Sequence, residues 1–209
     1  MPNVTPTSQA VVVFLDYQNL YMSARETFYP PRQPGDPPLP WIEGQFDPLK
    51  LAQRIVARAL TTNPRHMKQV RIYRGEPRFG VASKAFNKQV LSWKQSPLVE
   101  VVSRPVRRQP SGKTEEKGID VRLTVDFISM AITRQYDIGI LMSEDTDLVP
   151  AIEAALALPP ATGVICEVAA WKPMNGYARR LNVPGTSLWC HFMSEADYRT
   201  VADPTDYTR

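Results

Sequence analysis

The sequence is poor in the residues that soft-metal and thiol chemistry require. It contains two cysteines and two histidines among 209 residues. These residues show no zinc-ligand spacing, and His66 and His191 stand in no context that matches a Cys–His nucleophile. Cys166 and Cys190 each lie inside an apolar run, which predicts buried free thiols rather than a disulfide. Zinc binding and covalent cysteine catalysis are therefore disfavoured.

Long apolar runs are also missing. No stretch approaches the roughly 18 apolar residues that a membrane span needs, and residues 1–10 carry neither a basic start nor an apolar signal segment. We therefore expect no membrane association and a cytoplasmic location. No glycine-rich turn follows the apolar run at 11–16, which argues against cofactor binding of the Rossmann type.

What the chain does have is the length and composition of one globular domain. With 209 residues, 43% of them apolar and 22% charged, it can bury a sizeable core. We expect a flexible N-terminus at 1–10, a domain at 11–192 and a C-terminal tail at 193–209. Prolines cluster in a loop at 30–46, a candidate surface for a protein partner or for a homo-oligomer. The net charge of +4 is a mild indication of a polyanionic partner.

Short apolar runs alternate with helical patterns along the chain. Strands are predicted at 11–15, 69–73, 98–102, 137–142, 163–169 and 187–191. Helices are predicted at about 18–28, 47–60, 82–93, 119–130, 147–158 and, from a weaker pattern, 175–182. Strands that alternate with helices imply right-handed crossovers, so the pattern predicts an α/β fold with a mostly parallel sheet.

Acidic residues stand where the predicted strands end. Asp16 closes the first strand, and Asp145 and Asp147 follow the strand at 137–142. Asp120 stands just before a helical pattern. Because the carboxyl ends of parallel strands meet at one edge of a sheet, these acids are expected to lie together, where they repel each other unless a cation binds. Oxygen ligands of this kind suit Mg²⁺, so the pattern predicts a hard-metal site.

Each of these residues also has a purely structural interpretation. An acid between a strand and a helix can simply cap the helix, and this alternative is strongest for Asp147. Asn19 follows Asp16 by three residues and could orient a carboxylate or bind a phosphate oxygen, or merely face solvent in the first helical turn. Glu144, beside the later acids, is expected to point to solvent.

Three motifs together resemble the NYN domain family, a branch of the PIN-like nuclease superfamily, and within it the LabA-like branch. They are VVVFLDYQNLY at 11–21, EEKGIDVRLTVD at 115–126 and IGILMSEDTDLVPAI at 138–152. The first is similar to the family's apolar strand followed by Asp-x-x-Asn, and the second to a Lys-Gly-x-Asp-Val segment that opens a helix. The third is similar to a strand followed by Ser-Gly-Asp-x-Asp-Phe. Any one motif is weak, but the three in this order are fairly specific.

The resemblance implies a PIN-like three-layer α/β/α sandwich with a ribonuclease site that depends on Mg²⁺ or Mn²⁺. Carried over by position, the acidic cluster consists of Asp16, Asp120, Asp145 and Asp147, with Asn19 as the associated polar residue. The family would also imply RNA as the partner. These assignments rest on the likeness of the motifs and not on the spacing of the residues.

The chain also departs from the family pattern in places. Glu144 stands where the family often has Gly, and Leu148 where it often has Phe. Asp126 matches a further acid, but six residues turn a helix by about 600°, so Asp126 and Asp120 are not expected to share a face.

A basic loop at 103–117 leads up to Asp120. Its cationic residues are Arg104, Arg107, Arg108, Lys113 and Lys117. Five basic residues against two glutamates give the loop a local charge of +3. Lysine and arginine contacts with phosphates provide salt-dependent affinity without reading sequence, so we interpret these residues as candidate RNA contacts. The alternative is an ordinary solvated loop.

We therefore predict a metal-dependent endoribonuclease, with a non-catalytic RNA-binding or regulatory domain as the alternative. Two other metal-dependent classes fit the residues less well. A haloacid dehalogenase needs a second Asp two positions after the first, where this chain has Gln18. A Toprim domain needs Glu after an earlier strand, where this chain has Asp16.

Overall fold

A computed structural model describes residues 8–29, 33, 35–58, 63–108, 114–115, 118–158 and 160–209. Its strands are β1 (Gln9–Asp16), β2 (Arg65–Glu76), β3 (Val99–Pro105), β4 (Arg107–Arg108), β5 (Thr114–Glu115), β6 (Ile138–Met142), β7 (Ile165–Trp171) and β8 (Cys190–Met193). Its α-helices are α1 (Tyr17–Phe28), α2 (Pro48–Ala57), α3 (Gly80–Trp93), α4 (Ile119–Ile132), α5 (Val149–Leu156) and α6 (Glu195–Val201). None of the helices among these residues is long and apolar enough to cross a membrane.

In the described part of the chain, six strands form one parallel sheet in the order β3-β2-β1-β6-β7-β8. Helices α1, α2 and α6 pack on one face of this sheet, and α4 and α5 pack on the other. The predicted three-layer α/β fold with a parallel sheet is confirmed. The chain runs outwards from β1 to β3 and then returns to β6 on the other side of β1. In open α/β sheets, ligands bind outside the carboxyl ends of the strands at such a reversal.

Strand β1 is buried on both faces because it lies in the middle of the sheet. Val11, Val13 and Leu15 pack into the core on the α1 side, and Val12 and Phe14 pack into the core on the α4 side. This explains why the strand reads as an unbroken apolar run rather than as an alternating one. The polar residue at the end of this run, Asp16, therefore lies at the carboxyl end of a strand that is enclosed on both faces.

The two cysteines lie in neighbouring strands at one side of the sheet. Cys166 is buried, Cys190 is half-buried, and both are free thiols, as the sequence predicted. Burial raises the pKa of each thiol to about 11. Because the thiolate is the nucleophile, neither side chain is poised for covalent chemistry at neutral pH.

The predicted helix at 175–182 is wrong. Residues 172–189 form an irregular segment between β7 and β8. Leu181, Val183 and Leu188 are buried in the core on the α4 side. These apolar residues pack an irregular segment against the core. Their spacing resembles that of a helix face, so the sequence pattern alone could not separate the two structures.

Residues 193–209, set apart above as a C-terminal tail, include helix α6. Ser194 and Asp197 form a capping box at its start, and Tyr198 and Val201 lie in the core on the α1 side. Asp197 also forms an ion pair with Arg54, at 2.5 Å between its Oδ1 and Nε. This part of the chain therefore packs on the same core as the strands.

The end of the proline-rich loop is fastened to α1 by one side chain. The guanidinium group of Arg25 donates hydrogen bonds to the carbonyl oxygens of Leu39 at 3.0 Å, Pro40 at 2.8 Å and Glu43 at 2.5 Å. Gly44 follows, and its N–H donates to the Tyr198 hydroxyl at 2.9 Å. The loop thus approaches α1 closely enough that its backbone conformation matters for packing.

We predict that Gly44→Ala destabilises the protein much more than Gly35→Ala. Both glycines have a φ near +98°, so both substitutions place alanine in the left-handed region, at about 1–2 kcal/mol. A Cβ at Gly44 would lie 2.7 Å from the Tyr21 carbonyl oxygen, whereas a Cβ at Gly35 would meet nothing within 4 Å. Overpacking should add about 1–3 kcal/mol to the loss for Gly44→Ala. Urea unfolding measures both free energies, and equal losses would contradict the predicted clash.

Candidate functional site

Asp16 lies at the carboxyl end of β1 and is only 6% exposed. The Ser143 hydroxyl donates a hydrogen bond to its Oδ2 at 2.9 Å, and the Asn19 N–H approaches its Oδ1 at 3.4 Å. Burial raises the pKa of Asp16 to about 7, against the hydrogen bond from Ser143, and the charges of Asp120 and Asp145 raise it further. The carboxyl group is therefore a poorly solvated acid that faces other acids.

The turn after β6 is organised around Ser143 and Asp145. The Asp145 N–H donates to the Ser143 hydroxyl oxygen at 3.0 Å, and the Asp147 N–H donates to Asp145 Oδ1 at 3.0 Å. Asp145 therefore caps the short 3₁₀ turn at 146–148 and is half-buried, whereas Asp147 is exposed. The cap is therefore Asp145 and not Asp147, for which the capping interpretation was the strongest.

Asn19 connects helix α1 to this turn. Its side-chain oxygen accepts a hydrogen bond from the Glu144 N–H at 2.8 Å. Because Asn19 is in the first turn of α1, this bond joins the segment after β1 to the segment after β6. The residue therefore orients the backbone between Ser143 and Asp145 rather than simply facing solvent.

Asp120 approaches from the other side of the sheet, in the first turn of α4. It is half-buried, and burial raises its pKa, with further contributions from the charges of Asp145 and Asp147. Gly118, directly before α4, has a φ of +78°. At this edge, the charges of Asp120 and Asp145 act on Asp16, and those of Asp145 and Asp147 act on Asp120.

The donor set at this edge suits a hard cation. It offers carboxylate oxygens, and mutual repulsion of this kind is relieved by a bound divalent ion. Among the described residues, no three or more Asp, Glu, His or Cys side chains are grouped closely enough to hold an ion together. Mg²⁺ commonly uses one or two protein carboxylates and keeps waters, so the residues fit an ion that is also open to substrate oxygen. An ion held directly by one or two of these carboxylates, with water in its other positions, is compatible with that grouping.

Glu144 does not point to solvent, and that expectation was wrong. Its side chain is 8% exposed, with Oε2 at 3.7 Å from Arg179 Nη1. Burial raises its pKa, partly offset by Arg179 and by a hydrogen bond with Ser23. The Asn19 bond holds its backbone, and the side chain packs between α1 and the segment after β7 instead of extending outwards.

Asp126 has a different environment although it lies on the same helix as Asp120. Its carboxylate contacts Arg71 Nη2 and Arg122 Nε at 2.9 Å each, and it accepts a hydrogen bond from the Tyr73 hydroxyl at 2.9 Å. Although burial opposes the shift, these partners hold its pKa below the usual range. Asp126 joins α4 to β2 as a paired anion, a network that the sequence analysis did not identify.

The basic loop is only partly described. Arg104, near the end of β3, is exposed, and its guanidinium nitrogen lies 3.5 Å from the position that a Cβ on Gly118 would take. Arg104 therefore lies beside Gly118 at the start of α4, and Gly118 precedes Asp120 by two residues. The backbone at 107–108 pairs with that at 114–115 as the short antiparallel strands β4 and β5. Lys113 and Lys117 lie outside the described residues, as do the side chains of Arg107 and Arg108.

The parallel sheet between two layers of helices, with acids at the carboxyl ends of β1 and β6, is consistent with a PIN-like fold. Comparison with family models agrees, since the model of the NYN domain matches residues 10–165. The chain belongs to the NYN domain family. This confirms the resemblance drawn from the three motifs, while the LabA-like branch stays a prediction.

A solved structure supports the fold alone. The crystal structure of a protein of unknown function from Vibrio parahaemolyticus is similar, with a TM-score of 0.50 and 18% sequence identity. The likeness covers 81% of this chain and 84% of that one. No protein of curated function matches the sequence.

We predict that the free energy of unfolding of Asp16→Asn increases relative to that of the wild type as the pH rises, with both proteins measured in EDTA. The folded-state pKa of Asp16 is raised from 3.8 to about 7, so the folded state holds a proton that the unfolded state releases. Wild-type stability should therefore fall between about pH 4 and pH 7, by a few kcal/mol at most, since one pKa unit is worth about 1.4 kcal/mol. Asparagine cannot ionise and escapes this loss.

Urea unfolding at pH 4.5 and pH 8 measures the effect. Asp126→Asn is the matched control: it leaves Arg71 and Arg122 without their anionic partner, so it should lose a similar amount of stability at both pH values. The pKa of Asp126 is held below its usual range, so this carboxylate stays ionised at pH 4.5 and at pH 8. An Asp16→Asn protein that gains no stability relative to wild type between the two pH values would contradict the prediction.

Proposed function

We propose that the protein is an endoribonuclease that hydrolyses RNA phosphodiester bonds with Mg²⁺ or Mn²⁺ at the acidic edge. The observation that carries the proposal is the buried, electrostatically strained Asp16 facing Asp120 and Asp145 at the point where the strand order reverses. Membership of the NYN domain family supports it, because PIN-like nucleases generally use divalent metals and the family suggests RNA as the substrate.

The chain's own residues would prepare this site in distinct ways. Asp16 and Asp145 would bind the ion directly, and Asp120 and Asp147 are the further candidate ligands. When bound, Mg²⁺ or Mn²⁺ supplies Lewis acidity, which lowers the pKa of water and neutralises charge on the phosphate. Ser143 fixes the Asp16 carboxylate by a 2.9 Å hydrogen bond, so its second oxygen keeps a defined direction. Asn19 holds the turn that carries Asp145 against α1.

We predict that Asp16→Asn and Asp145→Asn each reduce RNA cleavage roughly 100-fold or more, because each removes an anionic ligand. Asparagine is also a good helix cap, so Asp145→Asn should retain the turn at 146–148. The assay follows a labelled single-stranded RNA on a gel with Mg²⁺ or Mn²⁺, and EDTA should abolish cleavage. Glu153→Gln, which changes an exposed acid on α5, is the control and should cleave normally.

The outcomes separate the proposal from its alternatives. Equal cleavage by the wild type and both Asp→Asn variants would indicate a contaminating nuclease and contradict the proposal. RNA binding without product at any metal concentration would favour a non-catalytic RNA-binding or regulatory protein. Glu144 and Leu148, the two departures from the family pattern, motivate that second function.

A second prediction concerns the basic loop. Arg104→Ala should weaken RNA binding and make the slope of log K against log salt shallower by about 0.7, the value for one phosphate contact with a single strand. Lys68→Ala is the matched control, because Lys68 is exposed in the amino-terminal half of β2, away from the acidic edge. Fluorescence anisotropy over a salt series gives both slopes. An unchanged slope for Arg104→Ala would remove it from the phosphate contacts.

The remaining expectations concern the rest of the basic loop, the location of the protein and its partners. We propose that Arg107, Arg108, Lys113 and Lys117 extend the RNA contacts of Arg104. A cytoplasmic location and a homo-oligomer or protein partner through the loop at 30–46 are likewise proposed from the sequence alone.

A further inference from the structure

We propose that a cavity beside the acidic edge binds one unstacked nucleobase of single-stranded RNA, from a nucleotide next to the phosphate at Asp16. The cavity has a volume of about 340 Å³ and lies between α1, the end of the proline-rich loop, the carboxyl end of β2 and α3. The inference deepens the proposed function, on which it rests for its ligand class.

The first turn of α1 links the cavity to the acidic edge along the chain. Tyr17 and Gln18 line the cavity, and they are the two residues directly after Asp16. Asn19 turns the other way, to the segment after β6. The Cα atoms of Asp16 and Gln18 are at most about 7.6 Å apart, at about 3.8 Å per residue, so a base in the cavity and a phosphate at Asp16 can belong to neighbouring nucleotides.

The cavity wall combines aromatic rings with a guanidinium plane. The Arg74 guanidinium lies over the Tyr17 ring at 4.8 Å and over the Phe86 ring at 5.3 Å from their centroids. Trp41 lines the mouth and is 39% exposed. Single-stranded RNA is commonly held by bases that stack on aromatic and arginine planes, and the cation complements the phosphodiester charge.

Two buried glutamine side chains line the largely apolar cavity and are already organised. Gln89 and Gln45 are each 4% exposed, and Gln89 Nε2 donates to the Tyr17 hydroxyl at 3.0 Å and to Gln45 Oε1 at 3.2 Å. Arg74 in turn donates to Gln89 Oε1. This network holds the rings in position before any ligand arrives, which lowers the entropy lost on binding.

An isolated base matches these features better than a duplex does. The volume is at the small end of ligand pockets, about the 300 Å³ lower bound, so it suits one planar ring system. Bases in a duplex are stacked and paired, and they cannot enter a cavity without being extruded at a cost of a few kcal/mol. The inference therefore implies a preference for single-stranded over double-stranded RNA.

Trp41 allows the cavity to be tested without disturbing the fold. Its backbone carbonyl, not its ring, accepts hydrogen bonds from the Tyr21 hydroxyl at 2.8 Å and from Gln45 Nε2 at 3.3 Å. Trp189 is a matched control: it is 53% exposed at the opposite edge of the sheet, and its carbonyl also accepts a backbone hydrogen bond. Each Trp→Ala variant thus removes one exposed ring and keeps its backbone contacts.

The experiment measures binding of a labelled single-stranded RNA by fluorescence anisotropy, with Ca²⁺ replacing Mg²⁺ and a gel to verify that the RNA stays intact. Trp41→Ala should bind roughly 5- to 100-fold more weakly, the range for loss of one base stack, and Trp41→Phe should retain most of the affinity. Trp189→Ala should stay within about twofold of wild type. A blunt duplex of the same length should bind Trp41→Ala and wild type equally.

The results distinguish the cavity from the catalytic proposal. Trp41-dependent binding without cleavage in Mg²⁺ or Mn²⁺ supports the base site and rejects the nuclease. Cleavage by the wild type, with Trp41→Ala binding as tightly as Trp189→Ala, rejects the base site and leaves the nuclease standing. Absence of any single-stranded RNA binding, or equal losses in the two Trp→Ala variants, also overturns the inference.

Discussion

The site depends on one constraint, which is that strand β1 is enclosed on both faces and ends in a carboxylate. A strand in the middle of a parallel sheet cannot expose its last side chain fully, so Asp16 is carried out of water with the strand. The parallel partner β6 ends at the same edge and delivers Ser143, whose hydroxyl bonds to Asp16 at 2.9 Å. The order and direction of the strands therefore cause the features of this edge, including the raised pKa of Asp16.

Two aspartates show how environment decides the role of one residue type. Asp16 lies among Asp120 and Asp145, and its pKa is raised. Asp126 lies on a different face of helix α4, which also carries Asp120. It lies between Arg71 and Arg122, and its pKa is lowered. Within the part of the chain that the structure describes, the first carboxylate has no cationic partner of this kind, whereas the second is already paired within the fold.

Helix α1 connects the two parts of the proposed RNA site. One side of its first turn, through Asn19, holds the turn that carries Asp145. The other side presents Tyr17 to Arg74 and to the network around Gln89. A single helical turn after Asp16 thus separates the acidic edge from the cavity, so an RNA strand that occupies both would be positioned by one rigid element.

The sequence by itself determined the α/β class, the six strands of the sheet and the acids at strand ends. Strands buried on both faces appear in the sequence as unbroken apolar runs, and the order of the three motifs identifies the family. It did not reveal α6, the irregular segment at 172–189 or the packing of Glu144, since short elements and irregular coils bury apolar residues without a regular period. Only the tertiary structure decided which acids face each other, which one is paired, and that a cavity lies behind Asp16. Those features depend on residues far apart in the chain, such as Arg71 with Asp126, whose proximity no local pattern encodes.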